Sequence, residues 1–150
     1  MTRLTMDSPV GRLTISEESN AITEICYGGK KYDEAPTPLL LEAKNQLEEY
    51  FAGRRKYFDL PLNPQGTDFQ KKVWHAISEI PYGKTCSYKD IAQRIESPKA
   101  FRAVGGANNK NPLPIVIPCH RVIGTGGALV GYGGGLSVKV YLLNLEKKNL

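Results

Sequence analysis

Cys119, His120 and Arg121 stand side by side, a thiol followed by an imidazole and a guanidinium. A free cysteine is only a few per cent thiolate at neutral pH, because its ordinary pKa is about 8.5, and a nearby base or cation raises that fraction. The tripeptide follows Pro118 and the β-branched run Ile115-Val116-Ile117, which predicts a cysteine at the end of a buried strand, a position suited to an activated nucleophile. Side chains adjacent in sequence usually diverge, so a direct thiol–imidazole contact needs a turn or a bridging water. The residues alone leave a reactive thiol, an inert buried cysteine and a protease-like Cys–His pair all open. Seven glycines lie between Gly124 and Gly135, just after this tripeptide. Glycine lets a backbone approach a ligand closely, although a plain flexible loop has the same composition.

The elements that must position this chemistry follow from pattern. Leu4 to Met6, the stretch through Leu13 and Ile15, and Ile22 to Tyr27 read as antiparallel strands, the first two joined by a turn at Ser8-Pro9-Val10-Gly11. Thr37-Pro38 opens a helix with Leu40, Ala43, Leu47 and Phe51 on one face and Gly53 as its stop. Between Asp59 and Gly66 two prolines and a glycine interrupt any period, and the boundary between two subdomains is expected there: residues 1–63 as a sheet-plus-helix unit, residues 64–150 as a second unit.

Thr67 and Gln70 form a capping box for a helix whose buried stripe is Phe69, Val73, Ile77 and Ile80, ended by Pro81-Tyr82-Gly83. Two short helices follow. One is capped by Ser87 and carries Ile91, Ala92 and Ile95; the other opens at Ser97-Pro98 and carries Ala100, Val104 and Ala107. Their two-residue spacing reads as a helix-turn-helix, a motif that sets its second helix against DNA, though plain helical hairpins are common. A last helix from about Ser137 buries Val138, Leu142 and Leu145. The fold class is α/β in the α+β sense: a small antiparallel sheet subdomain, then a helical, winged-helix-like subdomain with the helix-turn-helix.

Composition narrows the function classes. At 150 residues the chain can bury a real core, and no apolar run approaches the roughly 20 residues that span a bilayer, so a cytoplasmic protein without membrane contact is expected. Cys26, Cys86 and Cys119 are an odd set without metal-ligand spacing; free thiols are expected, with Cys26 and Cys86 structural. The formal net charge is +5, and between Lys84 and Lys110 six basic residues face two acidic ones. That local surplus fits either a polyanion-facing surface or a solvated helix face.

The segment Ile117-Pro118-Cys119-His120-Arg121-Val122-Ile123-Gly124 resembles the active-site signature of the O6-alkylguanine-DNA alkyltransferases, or methylated-DNA–protein-cysteine methyltransferases. The resemblance extends through Ser87-Tyr88, Lys99 to Ala107, Asn111-Pro112, Tyr132 to Gly135 and Glu146, covering most of residues 67–147. It implies that Cys119 accepts the alkyl group, that His120 activates it through a water, and that Glu146 orients the histidine. It implies that Asn111 ties the helix-turn-helix to the active-site turn and that Tyr88 donates to the flipped base. Arg102 corresponds to an arginine finger that fills the space a flipped base leaves, with Ser87, Lys99, Ala103 and Gly106 joining it at the DNA. Val122, Tyr132, Gly133 and Gly134 would wall the pocket.

Gly133 stands where some relatives have a serine, which bears on the alkyl groups accepted. The implied reaction is a single-turnover, direct-reversal repair of O6-alkylguanine, with O4-methylthymine as a further substrate. Double-stranded DNA is the partner, a monomer the expected state, and neither a cofactor nor a metal is expected. A non-catalytic lesion-binding module, a helix-turn-helix regulator and a cysteine hydrolase are the rivals. The first is disfavoured by the presence of Cys119, and the second by the lack of a regulatory module. The third predicts many turnovers and needs no basic helix.

Overall fold

The computed structural model describes residues 1–32, 35–124 and 132–150, which form two compact units, residues 1–65 and 66–150. In the first, strands β1 (Thr2–Met6), β2 (Leu13–Glu18) and β3 (Ala21–Tyr27) make an antiparallel sheet in the order β1-β2-β3. The expected turn closes β1 onto β2 through reciprocal backbone bonds between Ser8 and Gly11, at 3.1 and 3.0 Å. Ser19 and Asn20 join β2 to β3 with φ of 53° and 63°, the two positive values that a tight two-residue hairpin requires. Register pairs Leu4, Ile15 and Ile25 across the sheet, so the alternation read from sequence lays one apolar face under helix α1 (Pro38–Phe51).

Thr37 caps α1 by accepting from Leu40 N at 3.1 Å, and Gly53, at φ 76°, takes the left-handed conformation that ends the chain's helical course. Its buried residues are Leu40, Ala43, Gln46, Leu47 and Tyr50. Phe51, placed on that face from sequence, is only half-buried; Tyr50 takes the place, three residues beyond Leu47, and packs edge-on against Phe51.

The second unit starts at α2 (Asp68–Ser78), where both halves of the Thr67–Gln70 capping box are formed. Val73 and Ile77 are buried as expected, but Phe69 is half-buried and Trp74 and Ala76 complete the stripe. Trp74 donates from Nε1 to the Ala107 carbonyl at 2.8 Å, which satisfies the polar edge of an otherwise apolar side chain. Gly66 leaves room for it: a Cβ there would stand 2.5 Å from the indole.

Strand β4 (Cys86–Ser87) leads into α3 (Tyr88–Arg94), followed by α4 (Phe101–Asn109), a 3₁₀ turn (Cys119–Arg121), β5 (Val122–Ile123) and α5 (Leu136–Lys148). β4 and β5 pair in parallel, Cys86 with Val122 and Ser87 with Ile123, and this short ladder brings the cysteine turn beside the start of α3.

Further sequence expectations in this unit need correction. Six residues, not two, separate α3 from α4. Ser97 does not cap α4: its N–H closes the end of α3 on the Ala92 carbonyl at 2.9 Å, with Glu96 left-handed at φ 60°, and α4 begins from Ala100 without a side-chain cap. The run Ile115–Ile117 is a turn rather than a strand. Pro112, Pro114 and Pro118 deprive this stretch of ladder donors, so its burial is achieved by a coiled turn in which Ile117 N bonds Leu113 O at 2.9 Å. In α5 the buried face is Lys139, Leu142 and Glu146, with Val138 and Leu145 half-buried. Most of the glycine-rich segment, residues 125–131, lies outside the described residues. No described helix is long and apolar enough to cross a membrane.

Candidate active site

The turn carrying Cys119 is built by Asn111. Its Nδ2 donates to Ile117 O at 2.8 Å and its Oδ1 accepts from Leu113 N at 2.9 Å, so one side chain at the end of α4 fastens both sides of the loop. Within that loop Ile115 sits at φ 74°, a left-handed conformation that costs a β-branched residue on the order of 1–3 kcal/mol. Leu113, Ile115 and Ile117 are buried, and their packing together with the Asn111 clamp holds the strained backbone. Cys119 N then donates to Ile117 O at 2.7 Å, turning the thiol into the interior, where the residue is 4% exposed.

The following residues enter one buried network. Glu146, 1% exposed on the last turns of α5, accepts four hydrogen bonds: from His120 Nε2 at 2.6 Å, from Arg121 Nε and Nη2 at 2.8 and 2.9 Å, and from Gly83 N at 3.1 Å. Arg121 Nη1 donates to the Ile80 carbonyl at 2.8 Å. A carboxylate has about four acceptor sites, and all are used here. Burial by itself would raise its pKa, but the hydrogen bonds and charges of His120 and Arg121 bring the Glu146 carboxyl down to about 2.

His120 is fully buried, and burial pushes its pKa below the usual value against the opposing pull of Glu146. The imidazole is therefore neutral at pH 7, and its bond to the ionised Glu146 assigns the proton to Nε2. Nδ1 is left as the acceptor. That atom is buried and has no hydrogen-bond partner among the described residues. A neutral histidine, pinned at one nitrogen and open at the other, is the state in which an imidazole can take a proton from a neighbouring thiol.

Burial raises the Cys119 pKa; a hydrogen bond from Asn111, the charge of Lys139, the backbone and a hydrogen bond from Tyr132 act in the opposite direction without reversing it. The resting group is a thiol rather than the standing thiolate of an already activated nucleophile. Lys139 is fully buried, its Nζ donates to Val122 O at 2.7 Å, and burial lowers its pKa while Cys119 raises it. Tyr88, the first residue of α3, is half-buried. Burial and then Cys119 raise its pKa, while a hydrogen bond with Asn108 lowers it. Cys119, Asn111, Tyr132, Lys139 and Tyr88 thus meet in one electrostatic neighbourhood.

The other predicted residues fall on α3, α4 and the glycine segment. Arg102, Ala103 and Gly106 are exposed along α4, and Lys99 is exposed just before it. Ser87 caps α3, accepting from Asp90 N at 3.1 Å, with its own N–H on Asp90 Oδ2 at 2.9 Å, so its hydroxyl oxygen is already engaged. Val122 is buried and its carbonyl is held by Lys139; Gly133 is exposed and Gly134 half-buried. A Cβ at Gly133 would meet nothing nearer than Asn109 O at 3.8 Å. Cys26 and Cys86 are half-buried, and burial raises both thiols, Cys26 to about 11.

Sequence reading missed Lys139, Arg121 as a partner of Glu146, and Asn108. Lys139 could have been found: it lies three residues before Leu142 and seven before Glu146, on the same helical face.

Models of one class of enzyme match both units: the 6-O-methylguanine DNA methyltransferase ribonuclease-like domain over residues 1–64 and the 6-O-methylguanine DNA methyltransferase DNA binding domain over residues 68–148. A curated relative from Bacillus subtilis, the constitutive methylated-DNA–protein-cysteine methyltransferase, is 49% identical over 95% of this chain and 93% of its own length. The methylated-DNA–protein-cysteine methyltransferase of Methanosarcina barkeri is 49% identical over 97% and 96%. The crystal structure of Mycobacterium tuberculosis OGT in complex with DNA superposes with a TM-score of 0.90 at 46% identity, covering 98% of this chain and 93% of that one. The chain belongs to the 6-O-methylguanine DNA methyltransferase family. It is accordingly a DNA-binding repair enzyme of the methylated-DNA–protein-cysteine methyltransferase type.

Proposed function

We propose that Cys119 removes the alkyl group from O6-alkylguanine in duplex DNA, once per molecule. The observation that carries this reading is the neutral, buried His120, fixed by Glu146 at Nε2 and open at Nδ1, in the residue next to a buried thiol. The thiol proton passes to His120 Nδ1 through a water, the sulfur attacks the alkyl carbon, the S–C bond forms and the O6–C bond breaks. Tyr88 donates a proton to the departing guanine and is reprotonated with the proton that His120 took up, while Asn111 and Lys139 favour the charge on sulfur as it develops. The product thioether offers water no easy leaving group, so the protein is spent.

A stacked base presents no open path to a buried sulfur, so the guanine must leave the duplex. Residues 64–150 would bind DNA and carry the transfer, with α3 and α4 serving as the helix-turn-helix in the minor groove. Arg102 fills the vacated space; Ser87, Lys99, Ala103 and Gly106 line the contact, and Val122, Tyr132, Gly133 and Gly134 wall the pocket. The minor groove carries a poor sequence code, which suits an enzyme that must find damage anywhere. O4-methylthymine is a second substrate in this reading, the working state is a monomer, and its place is the cytoplasm.

The test is intact-protein mass spectrometry after incubation with a duplex holding one O6-methylguanine. A gain of about 14 Da, one methyl replacing one hydrogen, limited to one per molecule and absent in Cys119→Ala, is the expected result. No gain with the duplex still bound would make the protein a lesion-sensing module instead.

A further inference from the structure

One face of α4 carries an apolar group that the proposed reaction leaves without a task. Residues three and four apart share a helix face, so Phe101, Gly105 and Asn108 form one row and Arg102, Gly106 and Asn109 the next. The first row faces the start of α3. Lys89 Nζ lies 5.6 Å from the centroid of the Phe101 ring, a Cβ on Gly105 would stand 4.0 Å from Tyr88 Cε1, and Asn108 hydrogen-bonds the Tyr88 side chain. The second row is open: Arg102, Gly106 and Asn109 are exposed, and a Cβ on Gly106 would meet nothing within 4 Å. Phe101 is 36% exposed, and Lys89, Lys99, Arg102, Ala103, Gly106 and Asn109 on or next to α3 and α4 are exposed as well.

An aromatic ring kept partly in water beside the Lys89 ammonium, one helical turn from the residue under Tyr88, matches a ligand that offers flat π faces flanked by anionic groups. Nucleic acid has both. We propose that Phe101 stacks on a DNA base at the step that Arg102 enters. Its ring covers the neighbour of the vacated position, and Lys89, on α3 beside the ring, reaches the adjoining phosphate independently of it. The inference rests on the DNA-binding reading of α3 and α4. It adds an aromatic surface to the arginine, so that the emptied step is held from two sides.

The test uses the full chain with Cys119→Ser, so that complexes do not react, and a dye-labelled duplex carrying one O6-methylguanine. Trp74 is the only tryptophan and is buried, so Phe101→Trp adds a single exposed reporter. The indole added at position 101 should be quenched as anisotropy reports binding, since base stacking quenches it and a merely structural side chain would not respond. Phe101→Ala should lose roughly five- to 150-fold in lesion-duplex affinity. It should leave the dependence of affinity on salt unchanged, whereas Lys89→Met should lower the slope of log K against log salt by about 1. Unchanged emission at full binding, or an alanine variant within twofold of its parent, overturns the proposal and leaves the transfer reaction untouched. Failure of the parent itself to bind the duplex overturns the DNA-binding reading, and this inference with it.

Discussion

Replacing Glu146 by glutamine removes one oxygen's charge from the centre of the network and should show its worth as a function of pH. The carboxyl is held at about 2 against an ordinary value of 4.5. That difference corresponds to about 3 kcal/mol of stability at neutral pH. A carboxyl whose folded pKa is depressed contributes fully above its unfolded pKa, near 4.5, and its contribution drains away as pH falls toward 2. The substitution also leaves Arg121, 6% exposed, with its guanidinium facing a neutral amide and the Ile80 carbonyl. Breaking a buried pair in this way costs about 3–5 kcal/mol. Urea unfolding of the parent and of Glu146→Gln should therefore differ by about 3–5 kcal/mol at pH 7, a large share of the roughly 5–15 kcal/mol that holds a domain folded. Between pH 4.5 and 2 the gap should narrow. His120 adds to the slope in both proteins, because its lowered folded pKa makes acid favour the unfolded chain below its ordinary value of 6.5. A gap that stays constant from pH 7 to pH 3, or one under about 1 kcal/mol at pH 7, would refute the assignment of a charged, fully accepted carboxylate at this position.

Lys139→Met removes a cation that lowers the Cys119 pKa and strands the Val122 carbonyl; thiol modification by iodoacetamide should shift to higher pH, and chemical denaturation should show a loss of about 1–3 kcal/mol. Gly133→Ser should fold with an unchanged melting temperature, since the nearest atom to its Cβ is 3.8 Å away, while single-turnover rates compared for methyl and bulkier O6 adducts change relative to one another. Gly66→Ala drives a methyl to 2.5 Å from the Trp74 ring; calorimetry and Trp fluorescence should report a loss of about 1–3 kcal/mol and a shifted indole environment.

Sequence pattern was sufficient where a structure depends on neighbours along the chain. Alternation placed β1, β2 and β3, the Thr67–Gln70 spacing placed α2, and the run of Cys119, His120 and Arg121 marked the residues that gather at the centre of the second unit. It failed where a distant or non-repeating interaction decides the backbone. The β-branched run at 115–117 has strand composition, yet the bonds from Asn111 and the missing donors of three prolines fold it into a turn that forces Ile115 to φ 74°. Ser97-Pro98 has the chemistry of a helix start, but the end of α3 consumes the Ser97 N–H. A lysine in the middle of α5 reads as solvated because burying an ammonium is costly. The Val122 carbonyl, brought to it by β5, gives the Lys139 ammonium a partner inside.

The burial of Cys119 has a consequence for the lifetime of the unused protein. A protein that acts once, as proposed for this one, is wasted by any encounter with the wrong electrophile, and cells contain many small molecules that attack exposed thiolates. Here the sulfur rests protonated, with its residue 4% exposed, and the base proposed for it is a separate imidazole that holds no proton of the thiol until a reaction begins. In the proposed reaction selectivity thus takes the form of storage: the molecule keeps its one equivalent of reactivity sealed until a substrate shaped to enter the pocket arrives to collect it.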